Sequence, residues 1–142
     1  MADFAAIQQL LARYCYAHDE QDTETLVTCF AEEFEFMGAK GPAAAVEIFK
    51  AGYRQMSIKR RHVITNSFLL EDGEERAVVQ SYITLYLIKE GALSLHLTGV
   101  YRDTVVLEGG AWRIAKRDAS MDVEYNPGDV VPAAVVAGAQ QR

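Results

Sequence analysis

His62, in the run Arg60-Arg61-His62-Val63-Ile64-Thr65-Asn66, stands where a helical pattern ends and a series of strands begins. An imidazole, with an ordinary pKa of about 6.5, both takes and returns a proton near neutral pH. Two-residue alternation sets His62 on one strand face with Ile64, Asn66 and Phe68. The two arginines suit a solvated entry, and Val63 and Ile64 suit a buried sheet. A base at the mouth of a half-apolar surface is what proton abstraction requires. A packed entrance histidine with no chemistry is the plain alternative.

A second candidate is Asp19. Asp22 is explained as the N-cap of a helix, but Asp19 falls at the end of the preceding helical pattern, where a negative charge opposes the helix dipole by about 0.3–1 kcal/mol. A solvated turn residue or a buried partner for an imidazole would each account for it. In the second case the carboxylate bonds one ring nitrogen, fixes the tautomer and stabilises the imidazolium. His96 shares a strand face with Ser94 and Thr98, a small polar row that suits a lined cavity, while Leu93, Leu95 and Leu97 suit a packed surface. Abstraction beside a carbonyl also needs donors for the developing enolate oxygen, each worth roughly 10²–10³ in rate. His96, Tyr14 and Tyr53 are the available ones.

Helices and strands must position these groups. Phe4, Ile7, Leu10, Leu11 and Tyr14 recur at helical spacing, predicting a helix from Phe4 to Ala17 or His18, with Tyr14 and His18 on one face. A second helix is expected from Thr23 to about Phe30, a short strand over Glu33–Met37, and a third helix from Ala43 to Gln55. Four strands follow, at about His62–Glu71, Arg76–Lys89, Leu93–Leu107 and Trp112–Val123. Turns at Asp72-Gly73, Glu90-Gly91 and Gly109-Gly110 make them an antiparallel meander. The second of these is apolar on both faces, with Ile83, Leu85 and Leu87 against Tyr82, Tyr86 and Ile88. Too few helices exist to cover both, so a homo-oligomer, dimer or trimer, is expected through the sheet face.

Composition narrows the functional classes. The chain has 142 residues, half of them hydrophobic, with a net charge of −6. That balance argues against nucleic acid or an anionic membrane as the main partner. One domain is expected over residues 1–142, with its core at about 4–123 and a C-terminal tail over 124–142 that drapes over a pocket or another subunit. No apolar run approaches a membrane span, and no basic-then-apolar leader opens the chain, so the cytoplasm is the expected compartment. Cys15 and Cys29 are expected as reduced, buried thiols. No zinc spacing and no glycine-rich phosphate loop appear, so no metal and no cofactor are expected.

Leu10-Leu11-Ala12-Arg13-Tyr14, Ala17-His18-Asp19, Asp22, Leu26, Phe30 and Phe34, then Arg61-His62-Val63-Ile64-Thr65-Asn66, Gly99-Val100-Tyr101-Arg102-Asp103 and Gly110-Ala111-Trp112-Arg113-Ile114, resemble SnoaL-like proteins of the nuclear transport factor 2-like superfamily in that order. The likeness spans about residues 4–123 and is greatest to scytalone dehydratase-type members. It implies an α+β, cone-shaped fold with three N-terminal helices packed on a curved, mainly antiparallel sheet. It further implies that Asp19, His62 and His96 act as the acid–base groups, with Tyr14 or Tyr53 to supply any phenol. His18 stands where such members carry a tyrosine, and with Phe36, Phe49, Tyr53 and Asn66 it is expected to contact substrate. The implied function is a cofactor-free dehydratase, cyclase or isomerase for a small hydrophobic oxygenated ring compound. The alternative function is a non-catalytic small subunit or ligand-binding scaffold similar to the small subunit of ring-hydroxylating dioxygenases.

Overall fold

The computed structural model describes residues 1–54 and 58–124. The expected tail over 124–142 therefore lies outside the described residues, save Glu124, as does Gln55 of the third helix. Helix α1 spans Phe4–Asp19 and α2 spans Thr23–Thr28. Asp3 caps α1 by accepting from the Ala6 N–H, and Asp22 caps α2 by accepting from the Thr25 N–H. A small hairpin follows, β1 at Glu35–Phe36 and β2 at Ala39–Lys40, and then α3 at Pro42–Arg54. Strands β3 (Lys59–Glu71), β4 (Arg76–Lys89), β5 (Ala92–Glu108) and β6 (Ala111–Met121) form one antiparallel sheet in that order. Helices against a curved four-stranded antiparallel sheet make the α+β fold expected from sequence.

One face of the sheet carries the core. Helix α1 buries Ile7, Leu10, Leu11 and Tyr14, which meet Val79, Val105 and Ile114 from the strands. Each large apolar side chain removed from water contributes roughly 1.5–3 kcal/mol. The segment after α2 docks on β6 through a parallel bridge: the Ala31 N–H donates to the Ile114 carbonyl and the Ile114 N–H to the Cys29 carbonyl. This closes the outer edge of the sheet at one point and brings Phe30 over the concave face. At Gly99 a Cβ would lie 2.5 Å from the Ser120 carbonyl oxygen, so the close approach of β5 to β6 requires glycine there. Cys15 and Cys29 are buried free thiols. No helix among the described residues is long and apolar enough to cross a membrane.

Two bulges overturn the expected facing of several residues. In β5, Leu97 pairs with Leu85 but Leu95 pairs with Tyr86, so His96 is an extra residue and the alternation shifts across it. Leu93 and Leu95 consequently share the outer face with Ile88 and Tyr86, while Leu97 is buried on the concave side opposite Leu85. Ile83 and Leu85 are buried there too, so neither they nor Leu97 belong to an outer leucine row. In β3 the register shifts between Thr65 and Phe68. Phe68 is therefore exposed, whereas Ile64 packs on the core, and the shared face expected for His62, Asn66 and Phe68 ends at Ile64.

Candidate functional site

The site forms where the end of α1 meets the start of β3. Asp19 is the last residue of α1 and His62 the fourth of β3. The Asp19 Oδ2 accepts the backbone N–H of His62 at 2.8 Å, and its Oδ1 lies 2.5 Å from the His62 Nδ1. Both side chains are nearly out of solvent, at 8% exposure for His62 and 6% for Asp19. A carboxylate cannot donate, so Nδ1 carries the proton of this bond and Nε2 is the ring nitrogen left to act as a base. Burying a carboxylate against the dipole of its own helix is tolerated because it receives two hydrogen bonds from β3.

Beside this pair stands a second imidazole. The His18 ring lies 4.7 Å from that of His62 and 4.7 Å from that of Phe49, and its Nδ1 hydrogen-bonds the Tyr53 hydroxyl. Burial, the neighbouring His62 and the cations Arg60 and Arg117 hold the His18 pKa well below the ordinary histidine range, so its ring is neutral. Burial likewise raises the Tyr53 and Tyr14 hydroxyls, which keep their protons. The Tyr14 ring sits 6.1 Å from the His62 ring and 5.6 Å from that of His18.

These groups wall a cavity of about 380 Å³ between the helices, the small hairpin and the concave sheet face. Its lining is largely apolar, with Phe30, Phe34, Phe36, Phe49, Leu85 and Leu97 among the side chains that wall it. A volume of that order suits a small ring compound. Of the residues expected from sequence, Tyr14, His18, Phe36, Phe49, Tyr53 and His62 all line it, and Asp19 backs His62 from behind. His96 and Asn66 do not line it. His96 is the extra residue of the β5 bulge, and Asn66 takes a left-handed backbone, φ 55°, at the bulge of β3. That conformation is one asparagine tolerates well, which gives Asn66 a structural reason to be there.

Three polar residues of the cavity wall did not stand out in the sequence. Arg60, expected in solvent, is 4% exposed, lines the cavity, and stands 5.7 Å from the centre of the Tyr53 ring. Its side of β3 is the one His62 faces, which alternation alone would have shown. Tyr101 and Arg117 also line the cavity. Arg117 grips the fully buried Asp103 with Nε at 2.6 Å and Nη2 at 2.9 Å. The available signal was Asp103 itself, a carboxylate in an inward row between Tyr101 and Val105.

The family model described as "SnoaL-like domain" matches residues 1–118. Among solved structures, a single-residue variant of Rv3472, a protein of unknown function from Mycobacterium tuberculosis, is 31% identical with a TM-score of 0.76, covering 98% of this chain and 92% of that one. Aln2 from a Streptomyces species is 24% identical with a TM-score of 0.74, covering 84% and 90%. A chain from Novosphingobium aromaticivorans, proposed to be the beta subunit of an aromatic-ring-hydroxylating dioxygenase, is 16% identical with a TM-score of 0.75, covering 89% and 94%. The last two share the fold. No curated protein matches the chain in sequence.

Proposed function

Because this chain belongs to the SnoaL-like domain family, we propose that its cavity is the active site of a cofactor-independent acid–base enzyme, a dehydratase, cyclase or isomerase for a small hydrophobic ring compound. His62 is the general base. Its Nε2 takes a proton from a carbon next to a substrate carbonyl, and the electron pair of that C–H bond moves into an enolate. The imidazolium so formed is stabilised by the Asp19 carboxylate, which accepts the Nδ1–H. The same proton then returns, either to another carbon, which isomerises the substrate, or to a departing hydroxyl, which releases water. Neutral His18, with Tyr53 on its Nδ1, and the protonated Tyr14 are the donors for the enolate oxygen.

The observation that carries this proposal is the doubly bonded Asp19–His62 pair in the wall of a mostly apolar cavity. A packing histidine needs no carboxylate aimed at one ring nitrogen while the other is left to a cavity. The test is solvent deuterium uptake by a panel of cyclic carbonyl compounds, followed by mass spectrometry with wild type and His62→Ala. Uptake by wild type that falls at least about 10²-fold in His62→Ala supports the enzyme. Uptake unchanged in the variant removes His62 from the mechanism. The non-catalytic subunit or ligand-binding scaffold then becomes the better account.

A further inference from the structure

Two guanidinium groups line the cavity of a chain whose net charge is −6. The acidic residue among the lining side chains is Glu35, which is exposed. Arg117 is closely constrained. Its guanidinium carbon stands 4.3 Å from the centre of the Tyr14 ring and 4.0 Å from that of Tyr101, while Asp103 occupies Nε and Nη2. Two aromatic rings and one carboxylate thus fix the plane and position of the fork. The Arg117 side chain is 12% exposed whereas Asp103 is fully buried, so of the two charges the positive one is open to the cavity. Tyr14 touches both the His62 ring and the Arg117 fork, which places the two within reach of a single small ring compound.

We propose that Arg117 is the anion-binding group of this cavity, and that the substrate carries an anionic oxygen held by Nη1 while His62 works at a nearby carbon. The inference rests on the cavity being a substrate site and deepens that assignment by naming the substrate class. A purely structural ion pair would be closed on all sides, as the Asp103 end is. With Asp103 holding the fork at Nε and Nη2, Nη1 is presented to the cavity as a fixed, permanently charged donor, which a flexible lysine would not offer. The field of Arg117 also reaches the polar end of the cavity, where it is among the groups that keep His18 neutral.

The test compares binding of 1-naphthoate and its neutral counterpart 1-naphthamide by calorimetry, which requires no turnover and so stands apart from any result with His62→Ala. Wild type is expected to prefer the carboxylate by about ten-fold or more, as charge-assisted hydrogen bonds imply. The paired replacement Asp103→Leu with Arg117→Met exchanges the buried ion pair for apolar side chains without leaving one charge stranded, and the preference should vanish. Equal affinity of wild type for the two compounds, including no measurable binding of either, overturns the proposal. So does a preference that persists in the paired variant or is lost instead in Arg60→Met. Should the paired variant not fold, the Arg117 Nε–H resonance of the wild type decides. A shift on adding naphthoate but not naphthamide supports the proposal, and no shift with naphthoate overturns it.

Discussion

Asp19 holds His62 by two separate bonds, one carboxylate oxygen on the backbone N–H at 2.8 Å and the other at the ring Nδ1 at 2.5 Å. The first bond fixes where β3 begins relative to the end of α1. The second fixes which ring nitrogen keeps the proton. One residue therefore sets both the position and the tautomer of the candidate base.

Asp19→Asn separates these roles. The amide oxygen can still accept the His62 N–H, but the amide nitrogen then faces Nδ1 as a donor and pushes the ring proton to Nε2. The stored proton would sit where the base must act. The expected result is a folded variant whose His62 nitrogen resonances report the exchanged tautomer, with deuterium uptake reduced by about 10²–10⁴-fold. An unchanged His62 tautomer in the variant would mean that Asp19 does not set it.

How far this pair was legible from sequence differs residue by residue. Asp19 stood out because a carboxylate at a helix end lacked a capping role, and His62 because it opened an apolar strand. Tyr14 and His18 followed from the helix period, and Phe49 and Tyr53 from that of α3. His96 and Asn66 were misplaced because strand alternation was carried across two bulges, and a bulge moves every later residue to the other face. Arg60, Arg117 and Asp103 were passed over because isolated charges in a sequence are ordinarily solvated, and only the register shows that 103 and 117 are opposite each other.

Acid should weaken the fold through His18. Its folded pKa is depressed, chiefly by burial, below the value near 6.5 expected for the unfolded chain. The unfolded state therefore binds more protons in that window, so the stability contribution is complete above pH 6.5 and is lost as pH falls toward the lower folded value. Urea unfolding of wild type and His18→Gln at pH 7.5 and 5.5 checks this. The wild type should lose more stability between the two, whereas equal losses would place His18 in solvent-like surroundings.

The outer sheet face is predicted to pair with a second copy. Leu93 and Leu95 are 68% and 60% exposed there, and Val63, Phe68, Leu70 and Tyr82 are exposed too. Contiguous apolar surface of this kind commonly marks an association site. The register corrects which residues are involved, since Leu97, Ile83 and Leu85 face the cavity instead. Sedimentation at micromolar concentration should give a dimer or trimer, and Leu95→Glu should shift it toward monomer. A monomeric wild type would end the prediction.

The central claim, that Asp19 and His62 act as one catalytic unit, is tested most directly by a double-mutant cycle on deuterium uptake by whichever carbonyl compound responds. Groups that act together are not additive, because removing the base leaves its orienting partner nothing to orient. We predict that Asp19→Asn with His62→Ala is no slower than His62→Ala alone. Losses that multiply, with the double variant slower by the product of the single effects, would contradict the account.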